Sequence, residues 1–280
     1  MAKIYEALRR AEEERQQAAT GTDVRIPAVD WDATPETAPK ARSEFFLKRW
    51  MTRRKERAPE TTADLNKRRI SMLQPESFAA EQFRTLRARI DSLAAQRPIK
   101  TVAITSANPG DGKSTAALNL AVVTAMGVGR QTLLIDCDLR RPSIHRSLGI
   151  DPKTGLAEIL LARSTIDEAL TKVEGLSLDV IAVRAKPTNP SELLASSQMR
   201  ELVAECASRY DRVILDTPAA LGLSDGPTVA ELCDGVVMVV RAGITPLMDV
   251  EAALELIDRR RVIGLLLNGA EQGRAHYGYY

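Results

Sequence analysis

Between the apolar run Thr101–Ser106 and an Ala/Leu-rich stretch stands Ala107-Asn108-Pro109-Gly110-Asp111-Gly112-Lys113-Ser114-Thr115. A glycine-rich turn that leads from a strand into a helix aims backbone N–H groups and the positive end of the helix dipole at one point, the environment that a chain of phosphates needs. Gly110 and Gly112 let the backbone turn inward around phosphate oxygens, with Asp111 between them and Thr115 in the first helical turn. Lys113 reaches the β- and γ-phosphates of ATP and Ser114 can ligate Mg2+. Ala107 replaces the usual first glycine, a mild departure. A second apolar run ends Ile135-Asp136-Cys137-Asp138-Leu139-Arg140-Arg141-Pro142, which sets two carboxylates at the carboxyl edge of a sheet, where α/β folds bind their ligands. Both reach the site only if the chain leaves the sheet after Asp136, and Pro142 favours that exit. A carboxylate beside Mg-ATP can orient the metal's waters or take a proton from an acceptor hydroxyl. Asp136 is assigned the proton, and Asp138 is read as a metal ligand or as the cap of the following turn. A third apolar run, Val213-Ile214-Leu215-Asp216-Thr217-Pro218, ends in the carboxylate expected to hold Mg2+. Asn268 closes the last such run, placed either to meet a purine edge or to form a turn.

These residues are useful only if strands and helices bring them together. From Ser71 onward, short Val/Ile/Leu-rich runs alternate with helical patterns, as in βαβ units around a parallel sheet covered on both faces. The expected strands are 101–106, 132–136, 178–183, 212–216, 235–240 and 262–267. Together they predict an α/β fold of the P-loop NTPase kind, a doubly wound and mostly parallel sheet with helices on both faces. Residues 71–272 form this domain. Residues 1–18 read as a charged amphipathic helix, with Ile4, Ala7, Leu8 and Ala11 on one side. Residues 19–70, with Pro27, Pro35, Pro39 and Pro59, read as a flexible basic linker. Inside it, Phe45, Phe46, Leu47, Trp50 and Met51 mix with six Lys and Arg residues, either a peripheral membrane contact or a solvated basic stretch. Residues 273–280 form a tail that holds Tyr277, Tyr279 and Tyr280, three of the five tyrosines in the chain. An unpacked Gly/Tyr tail can enter a neighbour's site, which a core tyrosine cannot do.

A formal net charge of +2 over 280 residues excludes a polycation built to coat nucleic acid. Cys137, Cys206 and Cys233 are isolated and form no CxxC pair, which suits a reducing cytoplasm and argues against zinc. No apolar run approaches the roughly 18 residues that span a bilayer, so any membrane role is expected through a surface or a partner.

Taken together, these elements resemble the bacterial tyrosine kinases of capsule and exopolysaccharide synthesis, across about Ser71 to Tyr280. The resemblance rests on the Pro-Gly-acid-Gly-Lys-Ser loop, the Ile-Asp-x-Asp-x-Arg-x-Pro strand end and the Asp-Thr-Pro strand end. It also rests on Glu81, Arg84 and Arg87 in the spacing Glu-x-x-Arg-x-x-Arg, and on Pro187-Thr188-Asn189-Pro190-Ser191-Glu192-Leu193-Leu194. The opening Ile4-Tyr5-Glu6-Ala7-Leu8-Arg9-Arg10-Ala11 looks like the autokinases found beside exosortase-linked gene clusters. The resemblance implies autophosphorylation at the terminal tyrosines with ATP and Mg2+. It implies a homo-oligomer, in ring form in the family, through the helix of Glu81, Arg84 and Arg87. It also implies a transmembrane polysaccharide co-polymerase as activator at the inner face of the membrane. Without the resemblance, that helix reads as an exposed face with Glu-to-Arg pairing. Two rivals remain. A positioning ATPase of the same branch carries a lysine five residues before the loop lysine, where this chain has Asn108. A non-catalytic ATP-binding regulator of polysaccharide export has no use for the tyrosine tail.

Overall fold

The computed structural model describes residues 69–270. The amphipathic helix 1–18, the linker up to residue 68 and the tail with Tyr277, Tyr279 and Tyr280 lie outside the described residues. Helices α1 (Ile70–Leu73) and α2 (Phe78–Ala94) lead into strand β1 (Thr101–Ser106), helix α3 (Lys113–Ala125) and strand β2 (Thr132–Asp136). Three short helices follow, α4 (Ile144–Leu148), α5 (Leu156–Leu160) and α6 (Ile166–Ala169), and then strands β3 (Leu170–Lys172) and β4 (Leu178–Ile181). The rest of the domain comprises α7 (Pro190–Leu194), α8 (Ser197–Arg209), β5 (Arg212–Asp216), α9 (Asp225–Ala230), β6 (Gly235–Arg241), α10 (Leu247–Glu255) and β7 (Val262–Asn268).

The seven strands form one sheet in the order β3-β4-β2-β5-β1-β6-β7, parallel except for the β3–β4 pair. From β1 through α3 to β2 the chain moves one way across the sheet, and from β5 through α9 to β6 it moves the other way. Right-handed crossovers in opposite directions put those helices on opposite faces, so the sheet is doubly wound, as expected. The central strands read as unbroken apolar runs because both their faces are covered: Val102, Ile104, Leu134, Ile214 and Val237 are all fully buried.

Three strands match the expected boundaries residue for residue, and the deviations have local causes. β4 stops at Ile181 rather than at residue 183 because the Ala182 carbonyl turns away to accept the Leu156 N–H at 2.9 Å. β6 and β7 each gain one rung because Arg241 pairs with Asn268. β3 was not expected. It has three residues and lies antiparallel at the edge, too short to carry a period.

Helix α3 sits where the site needs a rigid floor. Eleven of its residues are buried, and it lies between the sheet and α2, which explains its all-round apolar composition. Asn119, one of its buried polar residues, uses Oδ1 to accept the Ser71 N–H at 2.8 Å and thereby ties α1 to α3. At the far end, Arg87 of α2 donates to the Val123 carbonyl at 2.6 Å. Ile214, at the centre of β5, packs in the cluster that joins β1, β2, β5 and α3. Ile214→Ala removes buried volume that the close-packed sheet cannot collapse to fill, so stability should fall by about 2–5 kcal/mol. Guanidinium unfolding checks this, with a lower midpoint and an unchanged slope expected.

Candidate active site

The loop after β1 reaches the carboxyl edge of the sheet between the two crossover directions. Gly110 and Gly112 have φ of 100° and 99°, a region that side-chain-bearing residues rarely adopt. Gly112 is also the N-cap of α3, and no side chain caps the helix there. The first N–H groups of α3 therefore face the loop without a side-chain acceptor, which is the donor arrangement for phosphate. A Cβ on Gly112 would collide with the side-chain amide of Asn268. That amide donates from Nδ2 to the Asp111 carbonyl at 2.8 Å, so the end of β7 clamps the loop.

Asp111 is buried and bonds within the protein. Its Oδ2 accepts the Asn108 N–H at 2.9 Å and its Oδ1 accepts the Thr245 hydroxyl at 2.8 Å. Asn108 donates its side-chain amide to Asp249 of α10 at 2.7 Å, and Arg241 donates to the Gly110 carbonyl at 3.1 Å. The segment from Arg241 to Asp249 thus holds the outer side of the loop. Sequence reading missed Arg241, Thr245 and Asp249. For Asp249 a signal existed: it shares a helix face with buried Ala253 four residues on, and a carboxylate on an apolar face needs a buried partner.

The lysine and the carboxylates meet as expected. Lys113 places Nζ 2.9 Å from Asp138 Oδ2, 3.9 Å from Asp216 Oδ1 and 3.5 Å from Ser114 Oγ. Burial opposes the ammonium charge, but Asp216, Asp138 and Asp136 outweigh it and hold Lys113 above its usual value. Burial also works against ionised Asp138, yet the charge and hydrogen bond of Lys113 keep its carboxyl below the usual range. Asp136 and Asp216 stand opposite each other at the ends of β2 and β5, both fully buried. Burial first, and then the charge of Asp216, push Asp136 up to about 7, against the hydrogen bonds from Ile144 and Ser143. Both Asp136 oxygens are engaged. Oδ1 accepts the Asp138 N–H at 3.2 Å, and Oδ2 accepts the N–H groups of Ser143 and Ile144 at 3.0 Å each. Asp136 thus caps the start of α4, while Asp138 caps the following turn, as one reading of it expected, with Oδ1 accepting the Arg141 N–H at 2.9 Å.

Arg140 extends the site sideways. It donates to Asp225 at 2.7 Å and to Ser191 at 2.8 Å, while the Ser191 hydroxyl donates to Asp225 at 2.6 Å. On the opposite side of the molecule's motif set, Glu81 pairs with Arg84 at 2.8 Å along α2, and Arg84 also donates to the Pro75 carbonyl at 2.7 Å. The three residues of that helix motif are thus engaged within their own chain, with Glu81 the most exposed.

Residues 99–261 match the AAA domain family. Over 214 residues the chain is 39% identical to the tyrosine-protein kinase YwqD of Bacillus subtilis strain 168, a match that covers 75% of this chain and 90% of that one. The chain belongs to the bacterial tyrosine-protein kinases. The kinase domain of the Escherichia coli tyrosine kinase ETK superimposes with a TM-score of 0.69 at 28% identity, over 82% of this kinase and 91% of that domain. The tyrosine-protein kinase wzc of Salmonella typhimurium is 34% identical over 211 residues, which are 74% of this kinase and 29% of wzc, so this kinase spans less than a third of that relative.

Two measurements follow from the geometry of the kinase site. Gly112→Ala should weaken binding of a fluorescent ATP analogue at least about tenfold, because it combines backbone strain of about 1–2 kcal/mol with the Asn268 collision. Gly175→Ala is the control: its φ is 77° and nothing lies within 4 Å, so it should carry the strain and leave ATP binding unchanged. The second concerns pH. Asp136 keeps its proton in the folded protein up to about 7, above the usual carboxylate value of about 4, so folding takes up a proton between these limits. Wild-type stability relative to Asp136→Asn should therefore fall as pH rises from about 4 to 7 and level off above, as read by chemical denaturation across pH.

Proposed function

We propose that this kinase transfers the γ-phosphate of ATP to Tyr277, Tyr279 and Tyr280 of another copy of the chain. The observation that supports the reading is the buried Lys113 between Asp138 and Asp216, at the start of a helix whose N-cap, Gly112, leaves the first N–H groups without a side-chain acceptor. A nucleotide's β- and γ-phosphates compete with Asp138 for the ammonium. When Lys113 turns to the phosphates, the interaction that holds Asp138 below its usual range weakens, and its affinity for a proton rises. The tyrosine oxygen then attacks the γ-phosphorus, the bond to the β–γ bridging oxygen breaks, ADP leaves, and the phenolic proton passes to Asp138. Asp136 has the higher proton affinity, but both its oxygens are engaged and it is fully buried, so access favours Asp138 for the proton. Asp136 then serves by fixing the Asp138 amide and the start of α4. Asn268, with Nδ2 committed to the loop, offers Oδ1 to a purine amino group.

Mg2+ fits the donor set. Asp136, Asp138 and Asp216 surround a single ammonium, an excess of negative charge suited to a divalent cation, and hard oxygen ligands suit magnesium. Ser114 and Asp216 would hold it, and Asp138, also expected as a ligand, is left for the proton, because a carboxylate that binds the cation cannot at the same time gain proton affinity. When bound it supplies neutralisation of the charge on the transferring phosphate. Gly110, Asp111, Gly112 and Thr115 complete the phosphate site.

The wider setting rests on the motif resemblance. The copies would meet through the face of α2 that carries Glu81, Arg84 and Arg87. The activator would be a transmembrane polysaccharide co-polymerase, with the kinase on the cytoplasmic side and phosphorylation regulating exopolysaccharide or capsule polymerisation and export. The basic aromatic stretch of residues 45–57 would add a peripheral membrane contact. Among the described residues no helix is long and apolar enough to cross a membrane.

The test is mass spectrometry of the C-terminal peptide after incubation with Mg-ATP. Wild type should gain phosphotyrosine, Lys113→Met should stay folded by circular dichroism and gain none, and the triple Tyr→Phe variant at 277, 279 and 280 should bind ATP and gain none. Wild-type phosphotyrosine levels in either variant would falsify the assignment. ATP-driven disassembly without phosphotyrosine would instead make the protein a switch ATPase.

A further inference from the structure

Asp138 divides the site into two sides. Its Oδ2 faces Lys113 and the phosphate loop, and its Oδ1 accepts the Arg141 N–H at 2.9 Å. The chain beyond Asp138, away from Lys113, carries cations. Arg141 is exposed, and its charge helps to hold the Asp138 carboxyl low. Next along the sheet edge, the segment after β4 carries exposed Arg184 and Lys186. Its place is fixed in two ways. Gly155 packs against the backbone of Ala182 and Arg184 so closely that a Cβ would clash, and β4 pairs with β2 up to Ile135 and Ile181. Lys186 also lies near His145 of α4, the helix that Asp136 caps. Burial, then Arg146, and then Lys186 against the opposing charge of Asp151 keep that imidazole below its usual value.

The neighbouring arginines are occupied. Arg140 is bound to Asp225 and Ser191, and Arg146 donates to the Pro142 carbonyl at 3.0 Å. The acids on these loops are partly spent too, since Asp225 takes Arg140 and Glu158 accepts the Gly155 N–H at 3.0 Å. By contrast, the side chains of Arg141, Arg184 and Lys186 make no hydrogen bond or ion pair among the described residues. Three exposed cations with no partner among the described residues, beyond the carboxylate proposed to take the proton, suit an anion that arrives with the acceptor.

We propose that Arg141, Arg184 and Lys186 form a subsite for a phosphotyrosine on the acceptor tail, so that the first transfer to a tail primes the next. The proposal rests on the reading of Tyr277, Tyr279 and Tyr280 as acceptors. Those tyrosines lie within four residues, so at roughly 3.3–3.6 Å per extended residue Tyr279 stands about 7 Å along the chain from Tyr277, and Tyr280 about 10 Å. The rim lies within reach of that spacing: Ile135 pairs with Ile181, so Arg184 and Asp138, each three residues further on, leave neighbouring strands about 4.8 Å apart, and the long arginine side chain adds to that separation. A tyrosine phosphate carries about −1.5 to −2 charge and three acceptor oxygens, which match a guanidinium and an ammonium. The nucleotide does not need these groups, since Lys113 and the loop N–H groups lie on the other side of Asp138.

The test uses the full chain with the double substitution Arg184→Ala and Lys186→Ala, which leaves the phosphate loop and the carboxylates intact. Intact-mass spectrometry during incubation with Mg-ATP should show doubly and triply phosphorylated wild type while unmodified chain remains. In the double variant singly phosphorylated chains should accumulate, with the second transfer slowed about tenfold and the first unchanged. A second measurement separates binding from turnover. The full chain with Phe at 277, 279 and 280 should bind a labelled peptide of residues 273–280 phosphorylated at Tyr279 about tenfold tighter than the unmodified peptide. That preference should fade with salt and with the double substitution. The same phosphorylation pattern in wild type and double variant, or equal affinity for the two peptides, overturns the subsite and leaves the kinase reading standing. Absence of any phosphotyrosine on the wild-type tail overturns the acceptor assignment on which the subsite depends.

Discussion

A lysine ammonium buried among three carboxylates organises this molecule. Taking such ions out of water costs several kcal/mol each, and only close opposite charge and hydrogen bonds offset it. The charges of Asp216 and Asp138, the latter at 2.9 Å, outweigh the burial of Lys113, and the charge of Lys113 in turn favours ionised Asp138. The offset is incomplete, because one cation faces three acids. Part of the excess is relieved by Asp136, which keeps its proton to about neutral pH, and the remainder is an attraction for added positive charge. A site balanced in this way resists collapse onto itself and responds to any ligand that moves the ammonium. Phosphate does so from one side and a metal cation relieves the other, which is why one lysine can link nucleotide arrival to the proton affinity of Asp138.

Such a balance holds only if the geometry is rigid, and the fold supplies that from outside the loop. The loop has almost no side-chain bulk of its own. Its shape is imposed by Asn268 from β7, Arg241 at the end of β6, Thr245 in the turn after it, and Asp249 from α10. Asp111 carries a charge but spends it on internal acceptor bonds, so its contribution to phosphate binding is to hold the backbone rather than to meet the ligand. α3 beneath is buried on nearly every side, so the N–H groups at its start cannot tilt independently of the sheet.

The sequence made the strands and the phosphate loop legible because their signals are local. Val213-Ile214-Leu215 needs both faces covered, and Gly110 and Gly112 have few uses beside a backbone at positive φ. What it did not make legible depends on which distant residues meet. Asp136 and Asp138 are chemically alike and two positions apart, so their order of roles turns on where the chain leaves β2. The Ser143 and Ile144 amides that occupy Asp136 come from a turn that the strand pattern does not describe. Nothing in the spacing of Asp225 marks it as a partner for Arg140, and only the fold brings the two together across 85 positions. β3 escaped because three residues at an edge carry no period. The helix of Glu81, Arg84 and Arg87 gave a motif without a geometry, and all three residues prove to have partners in their own chain.

The Arg140 cluster extends the same logic to the loops around the site. Three loops leave the carboxyl edge near Asp138: the one after β2, the one before α7 and the one before α9. Separately each is a surface connection that could shift by an ångström without exposing core. Arg140 after β2, Ser191 at the start of α7 and Asp225 at the start of α9 tie the ends of these three loops into a closed set of hydrogen bonds, with the Asp225 side chain fully buried. A buried carboxylate left without its arginine is costly, so the three loops move together or not at all. Because Arg140 is two residues from Asp138, any displacement of Ser191 or Asp225 is felt at the carboxylate that faces Lys113. The loop chemistry of this kinase is therefore joined to the strand chemistry through one guanidinium, and the position of Asp138 is set by the sheet on one side and by these loops on the other.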